Sequence, residues 1–281
     1  MSARPSIVDC HTHVVSPDHD RYPLNPRDLS GEWYREGPAS AEDLAREMDA
    51  SGVAQAILVQ GVGAYTWKND YAADAARATP ARFVSACAID AEADDATDTL
   101  AYWLDERGMQ GVRLFALARE GPSWLAEPTT IPLFEIARSR GAHVIVTILP
   151  PQLPELERVL EREPDTAISL DHCGFALADP QAREALFALA RFEALHLKVS
   201  THNLDDAERG EGAPSLIREL VDRFGAERLM WGSDYCQTHD RPYADLVALG
   251  RRAFEPLPAA QAEACLSGTA RGLWPALAPG A

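Results

Sequence analysis

Two histidines two residues apart, His11 and His13, follow the apolar run Ser6-Ile7-Val8 within Asp9-Cys10-His11-Thr12-His13. In an extended chain, side chains at i and i+2 point the same way, about 7 Å apart along the strand. The pair therefore offers two imidazoles to one site, as metal ligands or hydrogen-bond partners, and a strand-end surface residue beside a satisfied core histidine is the plainer reading. Four more polar residues sit in or just past other apolar runs: Arg113 in Gly111-Val112-Arg113-Leu114-Phe115, His172 after Leu170-Asp171, Lys198 in Leu195-His196-Leu197-Lys198-Val199-Ser200, and Asp234 after Trp231-Gly232-Ser233. A permanent charge in a buried run is costly unless an anion pairs with it. Arg113 and Lys198 are thus either anchors for a substrate carboxylate or halves of internal ion pairs. Tyr65 and Trp67, just past the run 55–60, wall a pocket or cap the core. His143 opens its run, at the end away from His11 and His13, and reads as structural.

The elements that must hold these residues repeat along the chain. Apolar, β-branched runs lead into His11 and occupy 55–60, 83–89, 111–115, 143–149, 166–171, 195–200 and 228–233. Helical patterns lie between them, as from Ser40 to Gly52, where an N-cap, an acidic first turn and a closing glycine frame Leu44 and Met48. Further helices are expected at 69–79, 94–107, 132–140, 153–162, 180–192, 215–224, 243–253 and 258–266, and the segment 14–38, with its prolines and glycines, as a long loop. Eight buried strands alternating with helices is the pattern of an α/β protein of the (β/α)8 TIM-barrel type, one domain over 1–281. A doubly wound sheet is the rival, but no glycine-rich phosphate loop follows the first strand. In a barrel the carboxyl ends of the strands converge on one face, so His11, His13, Arg113, His172, Lys198 and Asp234 ring a single pocket.

Composition narrows the function. At 281 residues, 46% hydrophobic and 25% charged, the chain is an ordinary globular protein. A net charge of -17 argues against nucleic-acid binding and means that a small anionic organic-acid substrate needs local cations. No stretch has the length of a signal peptide h-region or a membrane span, so a cytoplasmic protein without membrane contact is expected, with an oligomer open. The five cysteines, Cys10, Cys87, Cys173, Cys236 and Cys265, lack CxxC spacing and read as buried packing residues.

The motifs Asp9-Cys10-His11-Thr12-His13, Gly111-Val112-Arg113-Leu114, Leu170-Asp171-His172-Cys173-Gly174, Leu197-Lys198-Val199-Ser200 and Trp231-Gly232-Ser233-Asp234 resemble those of the amidohydrolase superfamily over nearly the whole chain. They are most similar to the branch of 2-pyrone-4,6-dicarboxylate and sugar-acid lactonases. The resemblance implies a lactonase opening a small carboxylated lactone. Asp234 is its general base on water, and His11, His13 and His172, or a metal held by them with Asp234, polarise the carbonyl. Arg113 and Lys198 anchor the substrate, with Tyr65 and Trp67 beside it. Metal-dependent members usually carry a histidine or modified lysine at the end of strand five, where this chain has Thr147-Ile148-Leu149. The expectation is therefore no required cofactor, or one weakly held divalent cation, zinc or manganese. A metal-dependent decarboxylase of an aromatic or enol acid is the alternative; a non-catalytic barrel is a third reading.

Overall fold

The computed structural model describes residues 6–27, 29, 31–118 and 121–278. Eight parallel strands lie side by side in chain order: β1 (Ile7–Thr12), β2 (Val53–Val59), β3 (Phe83–Ala88), β4 (Gly111–Phe115), β5 (His143–Thr147), β6 (Ile168–Leu170), β7 (Leu195–Ser200) and β8 (Leu229–Gly232). Strands covered on both faces read as continuous apolar runs, and β1, β3, β5, β6 and β8 are buried at every residue. This is the expected (β/α)8 barrel.

The barrel closes where β8 returns to β1. The Asp234 N–H donates to the His11 carbonyl at 2.8 Å, and Thr12 forms a parallel bridge with Tyr235. The buried Asp9 carboxylate locks this seam, accepting from the N–H groups of Ser233 (2.9 Å) and His11 (3.2 Å) and from the Tyr243 hydroxyl (2.9 Å). Burial pushes its carboxyl up to about 6 despite those hydrogen bonds. The seam thus fixes the backbone on both sides of His11 and Asp234.

At the opposite end Trp274 plugs the barrel among Val8, Ile57, Val84 and Ile145. Its ring lies 5.3 Å from that of His143, whose Nε2 is 2.6 Å from the Ser169 hydroxyl, so His143 is structural as its position in the run implied. A Cβ on Gly111 would stand 2.3 Å from the Trp274 ring, which is why that strand opens on glycine.

The helix Ala41–Ser51 has the expected cap, Ser40 accepting from Asp43 N–H, and ends at Gly52 with φ 67°. Several elements differ from expectation, among them a short helix at Val62–Tyr65 where a loop was expected. The segment 14–38 contains a short helix, Trp33–Glu36. The C-terminal helix beginning at Ala259 continues through a wide turn, Ala264–Gly268, into Thr269–Leu273. A helix absent from the sequence reading, Thr201–Glu208, follows β7 directly; Ser200 caps it, with Asn203 as the reciprocal partner. All five cysteines are buried and unpaired. Among the described residues no helix is long and apolar enough to cross a membrane.

Candidate active site

The i, i+2 spacing brings His11 and His13 together at the carboxyl end of β1, ring centroids 5.0 Å apart and edge to face. Each imidazole is oriented by what its Nδ1 meets. His13 Nδ1 lies 2.8 Å from the Val59 carbonyl, an acceptor, so Nδ1 carries the hydrogen and Nε2 is left as a lone pair. His11 Nδ1 lies 3.1 Å from Asp171 Oδ1, with the same consequence. His172 Nδ1 lies 2.8 Å from the Ser200 hydroxyl, which donates onward to Asn203 Oδ1 at 3.3 Å. Burial lowers His11 well below the usual imidazole range, against the pull of Asp171, and lowers His172 to about 4, so both are neutral at pH 7. Three imidazoles thus present bare Nε2 atoms.

Asp234 completes the cluster from the end of β8. Its Oδ1 is 3.3 Å from His13 Nε2 and 3.5 Å from His11 Nε2, and its Oδ2 is 2.9 Å from His202 Nε2. Burial alone would raise this carboxyl, but its polar surroundings, with the hydrogen bond from His202 foremost among the donors, hold it well below the usual carboxylate range. The hydrogen bond to Asp234 raises the half-exposed His202. His11 Nε2 and Asp234 Oδ1 are buried without a hydrogen-bond partner among the described residues. Acceptors facing one another in a dry interior need a proton or a cation between them. The ligand atoms of His11, His13 and Asp234 lie within 4.8 Å of one another, as do those of His11, Asp171 and His172. This donor set fits a divalent cation, with carboxylate and carbonyl groups behind the imidazoles fixing their tautomers.

Beneath the cluster lies a second centre, Asp171. Its Oδ1 is 3.2 Å from Lys198 Nζ, and its Oδ2 accepts from Arg113 Nε at 2.8 Å and from the Thr147 hydroxyl at 2.7 Å. Lys198, Arg113 and His11 outweigh the effect of burial and keep the Asp171 carboxyl well below its usual range. The two cations expected to meet substrate therefore face an internal carboxylate. Lys198 is fully buried, 3.5 Å from His11 Nδ1, and presents nothing to a ligand in this structure. Arg113 also donates through Nη1 to the Gln60 carbonyl at 3.3 Å, while its Nη2 makes no hydrogen bond among the described residues. Thr147 stands where the resemblance led one to look for a histidine, and it orients Asp171 and Arg113 instead.

The chain departs from ordinary geometry here. His172, Cys173, Gly174 and Phe175 all have φ between 52° and 63°, and Asp234 has φ 62°. Left-handed backbone costs a non-glycine residue roughly 1–2 kcal/mol, and such strain collects at functional sites. Asn203 Nδ2 holds the turn by donating to the His172 carbonyl at 2.9 Å. Of the aromatics expected near substrate, Trp67 is half-buried at a cavity, whereas Tyr65 is buried, its phenol oxygen accepting the Ser16 N–H at 2.9 Å.

The sequence reading singled out neither Asp171 nor His202 as a site residue. Asp171 had a signal: two cations inside buried strands require an anion, and it stands beside His172. His202 lies on the helix the sequence reading lacked.

The fold and this cluster define a (β/α)8 barrel with a metal-type set of donors at the carboxyl ends of its strands. The chain belongs to the amidohydrolase family, whose pattern matches residues 8–276. It is 25% identical over 237 residues to an L-fucono-1,5-lactonase of Burkholderia ambifaria, covering 81% of this chain and 79% of the relative. Among solved structures it is similar to a Pseudomonas putida protein named as a 2-pyrone-4,6-dicarboxylic acid hydrolase, at 25% identity, TM-score 0.75, and 98% and 99% coverage of the two chains. The 5-carboxyvanillate decarboxylase of Sphingomonas paucimobilis shares the fold at 17% identity, TM-score 0.70, and coverage of 96% and 99%.

Proposed function

We propose that this amidohydrolase opens a small lactone of an organic or sugar acid by hydrolysis, at the cluster of His11, His13, His172 and Asp234. The observation that carries this reading is the convergence of Asp234 Oδ1 with the bare Nε2 atoms of His11 and His13. The two relatives at 25% identity, one named for a sugar lactone and one for a pyrone dicarboxylate, support it.

Asp234, ionised at neutral pH, accepts a proton from water as the water oxygen bonds to the lactone carbonyl carbon. When the ring C–O bond breaks, that proton passes to the leaving ring oxygen, giving the hydroxy acid and restoring the carboxylate. His202 holds Asp234 Oδ2, leaving Oδ1 toward the reacting atoms. Bare Nε2 atoms accept rather than donate, so the imidazoles orient and ligate instead of polarising the carbonyl through N–H bonds. His11, His13 and Asp234, with His172 beside them, would hold one zinc or manganese ion, and its chemistry there is Lewis-acid polarisation of the carbonyl. A carboxylate on the substrate would have Arg113 Nη2 to meet it and no help from Lys198.

The test is an indicator assay in weak buffer over a panel of carboxylated and uncharged lactones, run beside carbon dioxide detection on aromatic and enol acids. Acid release from a lactone is the expected result. Carbon dioxide release without lactone opening would replace the hydrolase reading by the decarboxylase one.

A further inference from the structure

A cavity of about 350 Å³ lies beside the histidine cluster on the same barrel face. The segments after β1, β2, β3 and β4 build it. Trp67, Phe115 and Trp124 are its half-buried aromatic walls, and Arg27, Asp90 and Glu92 stand exposed around it. None of the histidines, Asp171 or Asp234 lines it, so it is a separate compartment. Arg113 joins the two, with its Nε on Asp171 and its guanidinium carbon 4.9 Å from the centre of the Phe115 ring. Gln60 fixes the near wall: its carbonyl accepts from Arg113, and its Nε2 donates to the carbonyls of Thr66 (3.2 Å) and Lys68 (2.9 Å), on either side of Trp67.

The lining states what it can bind. Ligand pockets begin at roughly 300 Å³, so this volume admits a second ring beside a lactone seated at the histidines. Indole and phenyl faces pack against the C–H face of a saturated ring. Asp90 takes the Glu92 N–H on Oδ1 (3.3 Å), and among the described residues neither its Oδ2 nor the Glu92 carboxylate has a partner, so both are free to accept from hydroxyls. Arg27, its guanidinium 5.4 Å from the centre of the Trp67 ring, is a donor for the same ligand. Among the described lining residues two carboxylates stand against one guanidinium, and on a chain of net charge -17 this disfavours an anion in the compartment.

We infer that this cavity binds an uncharged, hydroxyl-bearing ring carried by the substrate as a glycosyl substituent, making the substrate a two-ring aldonolactone of the disaccharide type. The inference rests on the lactonase reading above and extends it to substrate size.

The experiment compares kcat/KM for cellobiono-1,5-lactone and glucono-1,5-lactone with the metal-loaded protein. A preference of about tenfold or more for the two-ring lactone is expected, on the scale that pocket contacts give. Trp124→Ala and Glu92→Gln should each move that ratio toward one, chiefly through KM. Equal or better use of the one-ring lactone would overturn the inference and leave the lactonase reading standing. If neither lactone opens, tryptophan fluorescence during titration with methyl cellobioside decides the cavity by itself, and the lactone panel above decides the lactonase reading. A saturating change that Trp67→Phe or Trp124→Phe removes supports the assignment, and no change overturns it.

Discussion

Asp171→Asn probes the charge balance on which the site is built. The carboxylate meets Lys198 Nζ at 3.2 Å, Arg113 Nε at 2.8 Å, the Thr147 hydroxyl at 2.7 Å and His11 Nδ1 at 3.1 Å, in a region where no charged partner is more than 5% exposed. Asparagine keeps the size but removes the charge, and it turns an N–H donor toward a cation or toward His11. Removing one partner of a buried ion pair costs about 3–5 kcal/mol, because the remaining charge is left uncompensated. At about 2–4 °C per kcal/mol for a large domain, the midpoint of thermal unfolding should fall by roughly 6–20 °C. Circular dichroism melts and urea titrations of the wild type, Asp171→Asn, Lys198→Met and the double variant measure this. The double variant should be more stable than the sum of the single losses, since methionine fills the volume of the lysine stem and removes one of the stranded charges. A fall of less than about 2 °C, or strict additivity in the double variant, would refute the claim that Asp171 is the counter-charge for both cations.

Other consequences are as direct. Gly111→Ala places a Cβ 2.3 Å from Trp274 and 2.9 Å from the His143 carbonyl; a loss of about 1–3 kcal/mol in urea unfolding is expected from overpacking. Ser40→Ala should cost about 1 kcal/mol by uncapping its helix. The Asp43 carboxyl in the same cap is held below 3.8 by the backbone N–H and side chain of Ser40, so its contribution is present above that pH and lost as pH falls through the folded value. The difference in urea midpoint between wild type and Asp43→Asn should accordingly be seen at pH 7 and vanish in strong acid. For the cation site, elemental analysis after zinc or manganese loading should show about one ion per chain in the wild type and a loss of roughly ten- to a hundredfold in affinity when Asp171 no longer orients His11. Unchanged metal content in His13→Ala would remove that histidine from the ligand set.

The barrel could be read from the sequence because a strand buried on both faces is a bare apolar run, and eight such runs recur between helical patterns. The site was legible to the same extent: His11, His13, His172 and Asp234 stand where apolar runs end, and strand register carries them to one face. What the runs do not reveal is which charges meet. Arg113 and Lys198 were open between substrate and internal partner, and only the packing of β4, β5, β6 and β7 around Asp171 shows that both meet this carboxylate. His202 escaped notice because Thr201, His202 and Asn203 are poor helix formers, and their helix depends on the capping of Ser200 by Asn203. The compartment around Trp67, Phe115 and Trp124 is assembled from four separate loops, and only Trp67 stood out beforehand.

The most direct test of the account is the rate at which Asp234→Asn opens a lactone that the wild type opens, measured at pH 7 with bound metal and unfolding midpoint determined on the same samples. The variant should still fold and bind substrate while its turnover falls on the order of 10²–10⁴-fold, the range for loss of a general base. Turnover within a fewfold of wild type would contradict the assignment of Asp234 as the group that takes the proton from water.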